Sequence, residues 1–359
     1  MEFTIAETTI KCSDDIYSDT IKIKSALKEY TVHYKNDSIQ ELINNIYNNG
    51  DLIFIDENVY NLSPTSFNNK NFTLFTALED TKNMESVLNL VDILYNNNFT
   101  RKNKLIVIGG GITQDVGGFA AGIYKRGIMW VYIPTTILAM TDSCIGSKVS
   151  VNRKSKNMLG LFIAPNDIYI SNVFFNSLKD DDIISGLCEA LKLSLIGGDN
   201  TYKMFIDLYY KKDYTSIIKL ASFIKKQIIE LDEFENCERK VLNLGHSIGH
   251  AIESTSNYYI PHGIAIMIGI LIKNKLFNEN KYDDLNKFIL DIVNPKFFKI
   301  IFNFDIFMKH LLADKKNNGD NICFILLQNY GDTKIIYKPK HEIEDSLKNI
   351  INSLFIFDY

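Results

Sequence analysis

Two histidines stand four residues apart in the run Arg239-Lys-Val-Leu-Asn243-Leu-Gly-His246-Ser-Ile-Gly-His250. A helix turns about 100° per residue, so Arg239, Asn243, His246 and His250 would share one stripe. Val241, Leu242, Leu244 and Ile248 would take the other faces. Such a stripe is unusual in a chain with only 6 histidines. His262, in Pro261-His262-Gly263, is a third candidate, and Glu189 lies on an earlier helical stretch with Lys192 one turn later. A His/His/Glu set supplies three zinc ligands and leaves a position open for substrate or water, as a catalytic site requires. The same groups also suit a satisfied polar network between helices. No H-E-x-x-H occurs, which argues against a zincin protease. Gly245 and Gly249 thin this helix and permit close approach by a neighbour or a ligand.

A second signal is a turn suited to phosphate. The apolar run Lys104-Leu105-Ile106-Val107-Ile108 meets Gly109-Gly110-Gly111, and a helix is expected from near Asp115. Glycines let the backbone approach a pyrophosphate, and a helix N-terminus offers unpaired N–H groups. A glycine triplet after a strand is equally a tight turn without a ligand, and it is not the G-x-G-x-x-G fingerprint. Asp56 and Asn58, just past an earlier strand, are within reach of ribose hydroxyls or simply form a solvated turn.

These residues need elements to hold them. Leu52–Ile55, Lys104–Ile108 and Trp130–Ile133 read as buried strands, and Met84–Tyr95 and Asp115–Tyr124 as helices. Strand–helix alternation predicts a mostly parallel sheet covered by helices. Near residues 172–178 the pattern becomes helical: a helix capped by Asn176 or Ser177 runs to Ile196, and further periods cover 215–232, 240–254, 262–278 and 282–293. Two short strands, 322–327 and 334–337, and a helix from Glu342 close the chain. The expected domains are an α/β domain, 1–174, and a helical domain, 175–359.

The chain has 359 residues, 46% hydrophobic and 23% charged, with net charge −4. That composition suits a globular protein and offers no nucleic-acid surface. There is neither a secretory leader pattern nor an apolar run long enough for a bilayer, so a cytoplasmic protein without membrane contact is expected. Five scattered cysteines, Cys12, Cys144, Cys188, Cys237 and Cys323, form no C-x-x-C and read as reduced, mostly packed thiols.

Taken in order, the motifs resemble the 3-dehydroquinate synthase family of sugar-phosphate cyclases. The likeness is carried by Gly109-Gly-Gly-Ile-Thr-Gln-Asp115-Val-Gly-Gly, by Lys125-Arg126-Gly127, and by Pro134-Thr-Thr-Ile-Leu-Ala-Met-Thr-Asp142-Ser-Cys-Ile-Gly-Ser-Lys148-Val-Ser-Val-Asn152. Lys156-Asn157-Met158-Leu159-Gly160, Gly186-Leu-Cys-Glu189-Ala-Leu-Lys192, the helix Leu242–Glu253 and Pro261-His262-Gly263 complete it. The match runs from about residue 50 to residue 330.

The resemblance implies a Rossmann-like α/β domain, a helical domain, NAD and a divalent metal, Zn2+ or Co2+. It assigns Glu79, Lys82, Gly109, Gly110, Gly111, Asp115, Thr135 and Thr136 to NAD, and Glu189, His246 and His262 to the metal. It assigns Asp142, Lys148, Lys156, Asn157, Lys192, Lys225, Arg239, Asn243, His250 and Lys316 to the substrate. Arg126 matches an arginine given to the partner subunit's substrate phosphate, which implies a homodimer. The implied reaction converts 3-deoxy-D-arabino-heptulosonate 7-phosphate to 3-dehydroquinate with release of phosphate, in the shikimate route to aromatic amino acids. Alternatives are cyclization of sedoheptulose 7-phosphate or glucose 6-phosphate, or an NAD-dependent polyol dehydrogenase on the same fold.

The chain departs from the family pattern at several places. Ser147, Val149 and Ser150 replace members of Gly-Gly-Lys-Thr-Gly-Val-Asn. Ile264 replaces the acid of His-Gly-Glu, which removes a carboxylate expected to orient a metal histidine. Gln114 stands where a small residue is common, and Phe234 stands at the arginine of Asp-Glu-Arg. The stretch from Asn152 to Lys156 is one residue short.

Overall fold

The computed structural model describes residues 2–5, 8–11, 18–277 and 279–356. The chain opens with an antiparallel ribbon, β1 (Glu2–Ile5) and β2 (Thr8–Lys11). It continues through β3 (Thr20–Ile23), β4 (Tyr30–Lys35), α1 (Ile39–Ile46), β5 (Leu52–Asp56), α2 (Glu57–Tyr60), β6 (Phe72–Phe75) and α3 (Met84–Asn96). Then come β7 (Lys104–Gly109), α4 (Gly111–Ile123), β8 (Met129–Pro134), the hairpin β9 (Lys148–Val151) and β10 (Leu159–Phe162), and β11 (Asp167–Ser171). Seven of these strands form one sheet in the order β3-β4-β11-β8-β7-β5-β6. Only β3 runs antiparallel to its neighbour. Residues 52–55, 105–108 and 130–133 are buried throughout, as expected of parallel strands covered on both faces.

Beyond Lys179 the chain is mainly helical: α5 (Asp180–Gly197), α6 (Asp199–Tyr210), α7 (Tyr214–Leu231), α8 (His246–Thr255), α9 (His262–Phe277), α10 (Asp283–Ile292) and α11 (Phe304–Leu312). The hairpin β12 (Asn321–Asn329) and β13 (Asp332–Pro339) and the helix α12 (Lys340–Leu354) follow. Residues 263–274 of α9 are buried on every side, and α5, α8, α10 and α12 pack against it.

The fold divides into two compact units, and not at a single cut. One, the α/β unit, is Asp14–Lys179 with Tyr214–Asn236; the other, the helical unit, is Met1–Ser13, Asp180–Asp213 and Cys237–Tyr359. The expected division into 1–174 and 175–359 is therefore corrected: α7 belongs to the α/β unit, and the β1–β2 ribbon to the helical one. Periodicity marks a segment as helical but does not say which core its apolar face joins. The helix expected from a cap at Asn176 or Ser177 instead starts at Asp180, after a tight turn over Asn172–Ser177. Cys144, Cys188 and Cys323 are buried free thiols and Cys237 is exposed, while Cys12 lies outside the described residues. Among the described residues no helix is long and apolar enough to cross a membrane.

Candidate active site

In the helical unit, glycines bring three helices together. The backbone of Gly245 has φ +79°, and a Cβ there would lie 2.7 Å from the Ile266 carbonyl oxygen. A Cβ on Gly263 would lie 1.9 Å from the Ser185 carbonyl oxygen. Close crossing at these points sets His246 and His250 of α8 beside His262 at the head of α9, and His262 beside Glu189 of α5. The ligand nitrogens of the three histidines lie within 4.8 Å of one another, and Glu189 Oε1 is 3.8 Å from His262 Nε2.

Several features fit this cluster to a divalent ion. Glu189 is fully buried, and its Oε1 has no hydrogen-bond partner among the described residues; its Oε2 accepts from Lys192 Nζ, on the same helix and also buried. An orphaned buried carboxylate oxygen is costly unless a ligand takes it up. His246 Nδ1 lies 3.2 Å from the Leu244 carbonyl oxygen, and His262 Nδ1 lies 3.2 Å from Glu253 Oε2. Both acceptors favour the Nδ1–H tautomer, which leaves the Nε2 lone pair as the donor to a metal. Burial, then the positive charge of Lys192 and the neighbouring His250, His262 and Lys316, holds His246 well below the usual histidine range. It is therefore neutral, the form that ligates. His250, expected among the substrate residues, is part of the same histidine cluster and is exposed.

The stripe expected over residues 239–250 does not lie on one helix. Glu238–Asn243 is a tight 3-10 turn, and α8 starts only at His246, after the left-handed Gly245. Arg239, on that turn, is 4% exposed. Asn243 lines a small cavity with Gly245, Ser247, Lys273 and Phe324. Lys316 is half-buried and pairs with Asp314 at 3.0 Å.

In the α/β unit the glycine turn sits at the C-terminal end of β7, with Gly110 as the N-cap of α4. The helix starts at Gly111, four residues before the expected Asp115. Among the described residues no side chain caps its first turn, which leaves those N–H groups for a ligand or water. Gly109 is required by packing, since a Cβ would lie 2.4 Å from Thr113 Oγ1. At Gly111 a Cβ would meet nothing nearer than Ser143 Oγ at 3.7 Å. Packing does not demand glycine there, whereas close approach by a ligand would. Thr135 N donates to the Gly109 carbonyl at 3.0 Å, and Thr136 Oγ1 accepts from Ala139 N at 3.2 Å.

Glu79, Lys82, Asp115 and Asn157 form one polar network. Lys82 Nζ pairs with Asp115 at 2.5 Å and donates to Asn157 Oδ1 at 2.7 Å. Asp115 Oδ1 accepts from Ser150 N at 2.8 Å, and Glu79 Oε1 accepts from Asn152 Nδ2 at 2.7 Å. Burial raises the Asp115 carboxyl above its ordinary range against the opposing pull of Lys82. The network thus ties the β9–β10 hairpin to α4 and to the turn before α3. Asp56 caps its own short helix, accepting from Asn58 N at 2.8 Å and from the Asn58 amide at 3.2 Å. That is the turn reading of this pair.

Asp142 lies on a wide turn in which Cys144 N reaches back five residues to the Ala139 carbonyl at 3.0 Å. Such turns often mark functional positions. Lys225, from α7, pairs with Asp142 Oδ1 at 2.6 Å and also reaches its carbonyl. Lys148 pairs with Glu235 and lies over the Phe162 ring, 5.8 Å from its centroid. Lys156 is exposed. Arg126 is exposed on a turn where Lys125, Arg126 and Gly127 all have positive φ, 51°, 63° and 102°. Arg101 steadies this turn by donating to the Gly127 carbonyl at 3.2 Å.

Two acids escaped the sequence reading. Glu253 meets His262, although its spacing from His246 and His250 (i, i+4, i+7) was a usable signal. Glu233, 6% exposed, accepts from Ser147 Oγ at 2.7 Å, Ser25 Oγ at 2.7 Å and Ala26 N at 2.6 Å. The Ser147 departure is thereby explained: its left-handed backbone, φ 59°, aims the hydroxyl at Glu233. Phe234 packs edge-on against Phe162, centroids 5.1 Å apart.

In fold, the chain resembles solved sugar-phosphate cyclases. It superimposes on 2-deoxy-scyllo-inosose synthase complexed with carbaglucose-6-phosphate, NAD+ and Co2+, with TM-score 0.80 and 22% identity, covering 92% of this chain and 99% of that one. It superimposes on 2-epi-5-epi-valiolone synthase from Streptomyces hygroscopicus subsp. jinggangensis 5008, with NAD+ and Zn2+ bound, at TM-score 0.74 and 23% identity, covering 92% and 99%. The models for the N-terminal and C-terminal parts of 3-dehydroquinate synthase match residues 72–185 and 186–317. A 3-dehydroquinate synthase from Clostridium tetani (strain Massachusetts / E88) is 33% identical over 358 residues, 94% of this chain and 91% of that protein. The chain belongs to the 3-dehydroquinate synthase family.

Proposed function

We propose that the chain is a phosphate-eliminating lyase that converts 3-deoxy-D-arabino-heptulosonate 7-phosphate to 3-dehydroquinate, using NAD and a divalent metal. The observation that carries this reading is the orphaned Glu189 oxygen beside His246 and His262, in a chain of this family. Glu189, His246 and His262 would hold the ion, and the first turn of α4 with Gly109–Gly111, Thr135 and Thr136 would hold NAD. When bound, NAD would take and return a hydride, and Zn2+ or Co2+ would polarise the substrate hydroxyl.

The chain's own side chains do the rest. Arg239 and Lys148 serve as cations for the substrate carboxylate, and Asn243 as an amide donor. Lys192, Lys156 and His250 bind the phosphate and stabilise the charge that grows on its bridging oxygen as it leaves. Lys225 holds Asp142 in place. We propose a homodimer in which Arg126 reaches the phosphate of the partner subunit's substrate.

The test is phosphate release by the purified protein with NAD and zinc. Release is expected from the heptulosonate phosphate and not from sedoheptulose 7-phosphate or glucose 6-phosphate. His246→Ala should abolish it, and Arg239→Ala should lower kcat/KM roughly 10- to 100-fold, the size of one lost charged hydrogen bond. Release from a carboxylate-free substrate alone would move the protein to another branch of the cyclases. Net NADH formation from a polyol would refute cyclization.

A further inference from the structure

The residue two after His262 is Ile264, which is fully buried in the apolar interior of the helical unit. His262 nevertheless has a carboxylate. Glu253 projects from the last turn of α8, and its Oε2 lies 3.2 Å from His262 Nδ1. The turn between the two helices makes this meeting possible. Asn257 and Tyr258 both take left-handed backbone, φ 49° and 62°, and Tyr258 N donates back to the Glu253 carbonyl at 2.9 Å. This sharp reversal carries the chain from Glu253 to His262 in nine residues. Glu253 is 6% exposed, so its interaction with the imidazole is little screened by water.

We propose that Glu253 is a positioning residue that sets the metal affinity of this chain through His262. It accepts the Nδ1–H, selects one tautomer, and turns Nε2 toward Glu189 Oε1, 3.8 Å away. A carboxylate acceptor also makes the imidazole a stronger donor than a neutral carbonyl does. Among the described residues His246 has only the Leu244 carbonyl at its Nδ1, so the two histidines are unequal, and His262 is the one whose strength depends on a removable side chain. The lost acid at position 264 is thus replaced from the neighbouring helix.

This inference rests on the metal reading above, and one set of titrations separates the two. The full-length protein is stripped with a chelator, then titrated with Zn2+ against a chromophoric competitor and with Co2+ by visible absorption. Wild type should bind, and His246→Ala should not. Glu253→Gln, which keeps the shape, should bind about 10- to 100-fold more weakly with an altered Co2+ spectrum, and Glu253→Asp should fall between it and wild type. Should Glu253→Gln fail to fold, Glu253→Asp carries the comparison. Wild-type affinity and spectrum in the folded Glu253 variants, with His246→Ala non-binding, would overturn the role of Glu253 and leave the metal reading intact. Absence of binding by wild type would overturn both.

Discussion

Lys273 offers a prediction independent of any ligand. It lies on α9, 2% exposed, with Nζ donating to the Ile325 carbonyl at 2.9 Å and no carboxylate partner among the described residues. Burial alone lowers its pKa from 10.5 to about 7. The unfolded chain therefore keeps a proton up to high pH that the folded chain releases near neutrality. Between those values the unfolded state binds more protons, so stability rises with pH. The penalty is full below pH 7 and gone above 10.5. At about 1.4 kcal/mol per pH unit, it is roughly 4 kcal/mol at pH 7 and roughly 2 kcal/mol at pH 9. Lys273→Met keeps the length of the side chain and removes the charge, at a loss of about 1 kcal/mol for the hydrogen bond to Ile325. The variant should therefore be about 3 kcal/mol more stable at pH 7, and only about 1 kcal/mol more stable at pH 9. Urea unfolding followed by circular dichroism at both pH values measures the two gaps. An equal gap at pH 7 and pH 9, or a variant less stable at pH 7, would refute the reasoning.

Three further outcomes are expected. Glu233→Ala strands three donors, Ser25, Ala26 and Ser147, and should cost the α/β unit about 3 kcal/mol or more in denaturant unfolding. Ser147→Gly should be nearly neutral there, because relief of its left-handed backbone offsets the one lost bond. If Arg126 serves the partner subunit, Arg126→Ala and His246→Ala proteins, each inactive alone, should regain about a quarter of wild-type phosphate release when mixed and allowed to exchange subunits, since half the dimers are mixed and each has one complete site. No recovery, with exchange verified by tagged subunits, would place Arg126 in its own subunit's chemistry or outside it.

The sequence by itself determined what depends on neighbours along the chain. Apolar runs at 52–55, 105–108 and 130–133 announced a covered parallel sheet, and the glycines after β7 announced an uncapped helix start. His246 and His250, four apart, had to share a helix face once α8 formed. Glu189 and His262 stood out as candidates by residue type, and the family resemblance assigned them to the metal with His246. Only the tertiary structure decided where the helices broke and what met across them. Arg239 and Asn243 left the histidine helix because the chain turns left-handed at Gly245, where the backbone packs close to the Ile266 carbonyl, a contact no local period records. Helix α7 joined the α/β unit, where Lys225 meets Asp142, because its apolar face suits more than one core. Glu253 came to His262, and Glu233 to Ser147, through chain reversal and packing. Periodicity fixes which face of an element is apolar, but which faces touch, and so which acid serves which histidine, follows from steric fit between elements distant in the chain.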